Sequence, residues 1–332
     1  MTKKALVVGI DDYSPPNQLN GCVNDAIQVA AILEKNGDGS PNFDVRCITS
    51  NNQTVEAASL IAAIQELLKD EAEIALLYFA GHGILNEKTN AGHLVTQDGK
   101  NPNWGVDLSH VLQLANEANP RVHSVVIILD SCQSGYAGQI SGPGVDKNVS
   151  FIGDGLTILT ACDRTGQALE VAGHGVFTSI LLDALSGAAS DVLGRVTPAS
   201  VYAHVDQTLG GWGQRPIYKA NVRRFIILRE VPPKVPLDIL RSLPNYFPET
   251  STVYKLDPSF EPRRGEEADK LKHIEVNPDN ARIFQELQAC NRHSLVVPVD
   301  QQHMWNAAVF STGCKLTATG IHYRNLAKLG HF

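Results

Sequence analysis

Two apolar runs of strand length, Ile74–Ala80 and Val125–Leu129, constrain the fold of this 332-residue chain more than any other feature. Each is nearly unbroken and rich in β-branched or aromatic residues, the pattern of parallel strands covered on both faces. Each stops at a polar, glycine-bearing turn: Tyr78-Phe79-Ala80-Gly81-His82-Gly83 and Asp130-Ser131-Cys132-Gln133-Ser134-Gly135. In open α/β sheets ligands bind beyond the carboxyl ends of the strands. If the two strands are neighbours, their turns bring an imidazole, His82, and a thiol, Cys132, to one sheet edge.

The pattern around them is βαβα. Ala5 to Ile10 reads as a first strand, Cys22 to Asn36 as an amphipathic helix stopped by Gly37, and Phe43 to Ile48 as a short strand. Thr54 to Lys69 reads as a second helix with a simple cap at Thr54. A loop is expected from Ile84 to Trp104, then a helix over Leu108 to Ala118 that leads into the second apolar run. Gly135 to Gly155 has no usable period and reads as a surface loop. Leu156 to Ala161 resumes as a strand, Val176 to Leu185 and Pro198 to Leu209 as helices, and Ile217–Tyr218 and Phe225 to Leu228 as closing strands. This order calls for a mostly parallel sheet flanked by helices.

A proline cluster from Val231 to Pro236 marks a linker, placed at 231–250, between a domain at 1–230 and a smaller α+β domain at 251–332. In the latter, Glu286 to Cys290, Met304 to Phe310 and Tyr323 to Leu329 read as helical and Leu295 to Val299 as a strand. The run Cys314 to Tyr323, with the residues up to Leu329, resembles the last helix of a winged-helix-like module, with an interaction role.

Charge and cysteines narrow the function classes. Residues 1–230 carry 16 Lys+Arg against 24 Asp+Glu, whereas 231–332 carry 12 against 11. An acidic N-terminal domain argues against nucleic acid as its substrate and fits basic ligands. The six cysteines show neither a CxxC pair nor metal-ligand spacing, and a chain this long needs no disulfide staples, so a reducing cytoplasm is expected. The few residues before the first strand are too short for a signal sequence, and no apolar stretch is long enough to span a bilayer.

The two turns hold parts of a nucleophilic site. Attack by cysteine on a carbonyl needs a thiolate, an imidazole to take and return the proton, and donors for the oxyanion. Cys132 and His82 supply the first two, and the amides of Gly83 and Cys132 are candidate donors. The plainer alternatives are a buried cysteine acting as a small hydrophobe and a structural histidine. Cys47 and Cys162 read as core, and His93, His110, His123 and His174 as surface or structural residues.

The two turns resemble the His and Cys motifs of the caspase-like cysteine peptidases, in particular a bacterial metacaspase-like branch, and Gly21-Cys22-Val23-Asn24-Asp25-Ala26 is similar to a third metacaspase motif. The resemblance spans roughly residues 3–230 and implies a caspase-like three-layer sandwich. It implies His82 as general base and acid, Cys132 as nucleophile, and an acidic pocket built by Asp25 and Asp130 and lined by Cys22 and Ala80. Two carboxylates suit a guanidinium or ammonium group, so cleavage is expected after Arg or Lys. Asp25 also fits a first-turn helix carboxylate favoured by the macrodipole, and Asp130 a turn former.

Two positions depart from the resemblance: Ala80 stands where many relatives have Ser, and Gln133 where His is frequent. Many metacaspases need calcium. Asp98, Asp107, Asp146 and Asp154 are scattered acidic candidates without oxygen-ligand spacing, which leaves calcium undecided and no cofactor assigned. Trp212 between glycines suits either a substrate groove or a core plug, and Asp163 and Glu170 could extend the acidic cleft. Lys147, in the loop after the nucleophile, is a candidate for autocleavage.

The resulting expectation is a cysteine endopeptidase acting on basic sites in a protein partner, in bacterial signalling or defence. A regulatory partner would bind through the C-terminal domain. The alternative is a catalytically silent module of the same fold that binds a basic peptide.

Overall fold

Both apolar runs are central strands of one sheet, as burial on two faces requires. The computed structural model describes residues 2–86, 91–131, 152–161, 170–171, 173–211 and 215–332. It divides into two compact units, Met1–Pro232 and Pro233–Phe332.

In chain order the first unit contains β1 (Lys3–Gly9), α1 (Cys22–Glu34), β2 (Phe43–Thr49), α2 (Ala57–Lys69), β3 (Ala72–Ala80), β4 (Gly83–Asn86), β5 (Ala91–Lys100) and β6 (Asn103–Asp107). Then come α3 (Leu108–Glu117), β7 (Val122–Asp130), β8 (Leu156–Thr160), β9 (Glu170–Val171), β10 (His174–Gly175) and α4 (Val176–Asp183), the last running into a π-helical turn at Ala184–Ala188. It closes with β11 (Arg195–Val196), α5 (Pro198–Leu209), β12 (Ile217–Asn221) and β13 (Arg229–Glu230).

Six strands form the main sheet in the order β12-β8-β7-β3-β1-β2. Five are parallel, and β12 alone runs antiparallel, against β8. Alternate residues of each strand feed two separate cores. Leu6, Val8, Leu77, Phe79 and Ile127 pack on one face with Leu60 and Ile64 of α2 and Val111 of α3. Val7, Leu76, Tyr78 and Ile128 pack on the other with Val29 of α1, Phe177 and Leu181 of α4 and Val201 of α5. This double burial is why the strand sequences lack polar alternation.

The register is what positions the site. β3 and β7 pair in parallel from Ala72 opposite Val122 to Ala80 opposite Asp130, so the two strands end level. The amide of Gly81 donates to the Asp130 carbonyl at 3.3 Å, which extends the pairing into the turn.

Several local expectations are corrected. The stretch Ile84 to Trp104 is not a loop: β4, β5 and β6 form a three-stranded antiparallel sheet. Phe225 to Leu228 is not a strand, and the closing pair is β11 with β13. Helix α2 begins two residues after the expected Thr54 cap, at a reciprocal cap in which Glu56 and Ser59 bond each other's amides. Half of the expected 231–250 linker is the helix α6 (Leu237–Tyr246) of the second unit, whose Leu240 and Leu243 are buried.

The second unit continues with β14 (Val253–Tyr254), α7 (Ala268–Leu271), α8 (Pro278–Arg292), β15 (Val296–Pro298), α9 (Met304–Val309), β16 (Cys314–Leu316) and α10 (Ala318–Lys328). Its three strands form an antiparallel sheet in the order β14-β16-β15. Among the described residues no helix is long and apolar enough to cross a membrane.

Cys290 of α8 and Cys314 of β16 are both fully buried in this unit, and burial pushes each thiol from 9.0 up to about 12. A thiol raised in the folded state holds its proton while the unfolded chain loses it, so stability contributed below about pH 9 falls as pH rises towards 12. Iodoacetamide at pH 8 should leave Cys290 and Cys314 unlabelled in native protein and label both in urea, read by peptide mass mapping.

Candidate active site at the carboxyl edge of the sheet

The chain leaving β1 shapes one side of the site. Asp11, just beyond the strand, accepts the amides of Cys22 at 2.8 Å and Val23 at 3.2 Å, which caps the amino end of α1 from a distance. Its own amide donates to Ser50 Oγ at 3.1 Å. The connection from residue 12 to 21 is thereby tied at both ends, and it carries two residues that hold His82.

The first is Tyr13. Its hydroxyl accepts the His82 amide at 3.0 Å and donates to the Val95 carbonyl at 3.2 Å, while its ring lies 4.6 Å from the imidazole. Burial drives this phenol well above its ordinary range, so it stays a proton donor. Gly81 is small because of this tyrosine: a Cβ there would come within 2.5 Å of the hydroxyl. The second is Asn17, whose carbonyl lies 2.7 Å from His82 Nε2. A carbonyl only accepts, so the ring proton of neutral His82 sits on Nε2 and the lone pair on Nδ1.

Gly83 opens β4. His82 and Val95 occupy a hydrogen-bonded position of the β4–β5 ladder, with Val95 donating to the His82 carbonyl at 2.9 Å. Antiparallel pairing alternates, so the next pair, Gly83 opposite Leu94, turns the Gly83 N–H away from β5. A cleft of about 310 Å³ opens beside His82, lined among others by Tyr13, Asn17, Gly83, Ile84 and Trp104.

On the opposite face of the sheet two carboxylates meet. Asp25, in the first turn of α1, is 1% exposed, and Asp130, the last residue of β7, is 6% exposed. Both face Gly175: a Cβ built there would lie 2.5 Å from Asp130 Oδ2 and 3.1 Å from Asp25 Oδ2. Gly175 also caps α4, so the pair sits at the positive ends of two helices.

Each carboxylate is held by named donors. Asp25 accepts the Gly175 amide at 2.8 Å on Oδ2 and faces His174 Nδ1 at 2.8 Å on Oδ1. Asp130 Oδ2 accepts Thr178 Oγ1 at 2.6 Å, and Thr178 Oγ1 lies 2.5 Å from the hydroxyl of fully buried Tyr78. Thr178 gives its single proton to the carboxylate, so Tyr78 donates to Thr178. Burial, reinforced by Asp130, Asp25 and Cys22, pushes the Tyr78 phenol well above its ordinary range, which keeps that proton in place. Cys22 and Ala80 are buried on this same face.

The structure therefore brings Asp25, Asp130, Cys22 and Ala80 together on one face at the sheet edge, with His82 and Gly83 turned towards the other face. Cys132, Gln133, Asp146, Lys147, Cys162, Asp163 and Trp212 lie outside the described residues, as do all but the last few residues of the expected 135–155 loop. Asp98, Asp107 and Asp154 have separate tasks: Asp98 accepts from Thr96 and the start of α2, Asp107 caps α3, and Asp154 pairs with Arg223. Among the described residues no group of three or more His, Cys, Asp or Glu could hold a metal ion.

Sequence reasoning missed Asp11, Tyr13, Asn17, Thr178 and His174. The last, read as surface or structural, lies directly on the pocket carboxylate. The only local signal for any of these was Asp11 at a strand end ahead of a helix without its own capping side chain.

Residues 2–226 match the caspase domain model of peptidase family C14. The chain belongs to the caspase-domain family of cysteine peptidases. Metacaspase-1 of Saccharomyces cerevisiae is 37% identical over 87 residues, which cover 24% of this chain and 20% of the yeast protein. Metacaspase-1B of Aspergillus oryzae is 24% identical over 216 residues, 58% of this chain and 48% of the fungal one. The chain thus spans between a fifth and about half the length of these relatives, and both are fungal. A solved structure of a protein from Geobacter sulfurreducens shares the fold, with a TM-score of 0.50 at 17% identity over 70% of this chain and 98% of that one.

The caspase-domain site depends on Tyr13 for the backbone of its histidine turn. Tyr13→Phe deletes the acceptor of the His82 amide and strands a partly buried donor, which costs about 1–3 kcal/mol. Urea unfolding of the variant should show a loss of that size.

Proposed function

We propose that this chain is a cysteine endopeptidase that cleaves peptide bonds after Arg or Lys, with Cys132 as nucleophile and His82 as general base and acid. The observation that carries the reading is the register: Ala80 stands opposite Asp130, and His82 and Cys132 each follow by two residues. Neighbouring strands lie about 4.8 Å apart, so side chains carried two residues beyond their level ends start near enough for an imidazole and a thiol to reach hydrogen-bond distance.

The chemistry follows from the groups present. His82 Nδ1, left basic by the bond from Nε2 to Asn17, takes the thiol proton. The thiolate attacks the carbonyl carbon, forming a C–S bond, and the oxyanion receives the N–H of Gly83 and that of Cys132. Collapse breaks the C–N bond as His82 returns the proton to the leaving amine, giving a thioester. Water then attacks with His82 as base, releasing the new carboxyl group and the thiol.

Two buried carboxylates, Asp25 and Asp130, support basic specificity, because a guanidinium or ammonium group is the partner that charge and hydrogen-bond geometry favour. Ala80 adds no polar group to the pocket, which leaves recognition to the carboxylates. Lys147 is a residue that such a pocket accepts, and we assign it as the autocleavage site; a regulated role in bacterial signalling or defence and a partner for the second unit complete the reading.

Fluorogenic Arg-, Lys- and Asp-peptides, tested with calcium and with a chelator, should show hydrolysis after Arg and Lys only. Cys132→Ala and His82→Ala should abolish it, and Asp25→Asn should raise KM at least tenfold with a smaller change in kcat. Cleavage only after Asp overturns the pocket, and activity that survives Cys132→Ala overturns the mechanism. Intact mass of wild type beside Cys132→Ala should reveal a cut after Lys147 in wild type alone.

A further inference from the structure

The pocket carboxylate Asp25 already has an occupant from within the chain. His174 Nδ1 lies 2.8 Å from Asp25 Oδ1, with the imidazole 29% exposed and the carboxylate side chain 2%. Asn24 Nδ2 lies against the ring, 2.9 Å from Nε2 and 3.4 Å from Nδ1, and the Asn24 amide is oriented by Gln28, which donates to Asn24 Oδ1 at 3.3 Å. A carboxylate oxygen only accepts, so Nδ1 carries a proton and donates it to Asp25. His174 therefore meets Asp25 as a single N–H donor.

We infer that His174 is a placeholder for the basic side chain of the substrate: it satisfies Asp25 Oδ1 in the free enzyme and gives that oxygen up when a guanidinium or ammonium group enters. This deepens the basic-pocket reading and rests on it. Two physical requirements set the role. A carboxylate buried as deeply as Asp25 must be hydrogen-bonded when no substrate is present. The placeholder must also be weaker than the guest, and a guanidinium offers a permanent charge and five N–H donors in a fork that matches a carboxylate, where His174 offers Asp25 a single ring N–H.

The location of His174 suits exchange. It belongs to the two-residue strand β10 of a short hairpin, paired with β9, and one edge of its ring is open to solvent. The Gly175 amide, one residue on, keeps Asp25 Oδ2 fixed at 2.8 Å, so the carboxylate retains a donor while Oδ1 changes partner. His174 and His82 stand on opposite faces of the sheet, and the displacement His174 undergoes belongs to binding. Its removal should therefore act on KM and leave kcat alone.

The test compares wild type with His174→Ala and His174→Arg, using an Arg-peptide for kinetics and benzamidine, a small amidinium probe, for thermal shift. His174→Ala should lower KM severalfold with kcat within twofold, and should enlarge the benzamidine-induced rise in Tm. His174→Arg, a tethered cation, should raise KM at least tenfold and blunt the benzamidine shift. A purely structural histidine would instead weaken benzamidine binding in both variants, and that result overturns the inference, as does an unchanged KM in both. If wild type fails to cleave the Arg-peptide and benzamidine shifts no form of the protein, the basic-pocket reading has failed and the placeholder falls with it. If wild type cleaves after Arg, only the variants decide.

Discussion

A carboxylate taken out of water has to be given hydrogen bonds, and the caspase unit buries two of them beside a single glycine. Much of the local architecture answers that demand. Gly175 has no side chain because Asp130 and Asp25 occupy the space, and its amide serves Asp25. Thr178, one turn into α4, serves Asp130, and Tyr78 of β3 serves Thr178. The amino ends of α1 and α4 both point at the pair. The helices on this face of the sheet are thus tied to the strands by polar contacts as well as by the apolar core around Phe177 and Val29.

The histidine side of the site obeys a different constraint. Its ring is held from the connection after β1, which is ordered by Asp11 capping α1. The helix that carries Asp25 and the carbonyl that fixes the tautomer of His82 consequently share one anchor. The carboxylate pair and His82 sit on opposite faces of the sheet, yet one ten-residue connection bears on both.

The strands of the main sheet were readable because burial on both faces leaves unbroken apolar runs, and the level ends of β3 and β7 followed from two turns of matching length. Family resemblance supplied Asp25, Asp130, Cys22 and Ala80 as a group, and the structure gathers them on one face. The small β4–β5–β6 sheet was not readable: its inward positions include Gly92 and Thr96 beside Leu94, so its alternation is masked by small and polar residues. Phe225 to Leu228 failed for the converse reason, since Phe225 is 64% exposed under the Arg195 guanidinium rather than paired in a ladder. Helix α6 was hidden by the prolines at its start and by Pro244 inside it. Tyr13, Asn17 and His174 act on partners 65 to 150 residues away, a separation that no local periodicity reports.

The chain of donors from Tyr78 through Thr178 to Asp130 has one direction only. Each hydroxyl spends its proton towards the carboxylate, and the phenol at its far end is too deeply buried to ionise. Asp25 is served from its own side by the Gly175 amide and by His174, so both buried carboxylates draw their hydrogen bonds from the fold. The orientation of both carboxylates is therefore set in advance, so a group binding there would find its partners already fixed and would spend none of its binding energy ordering them.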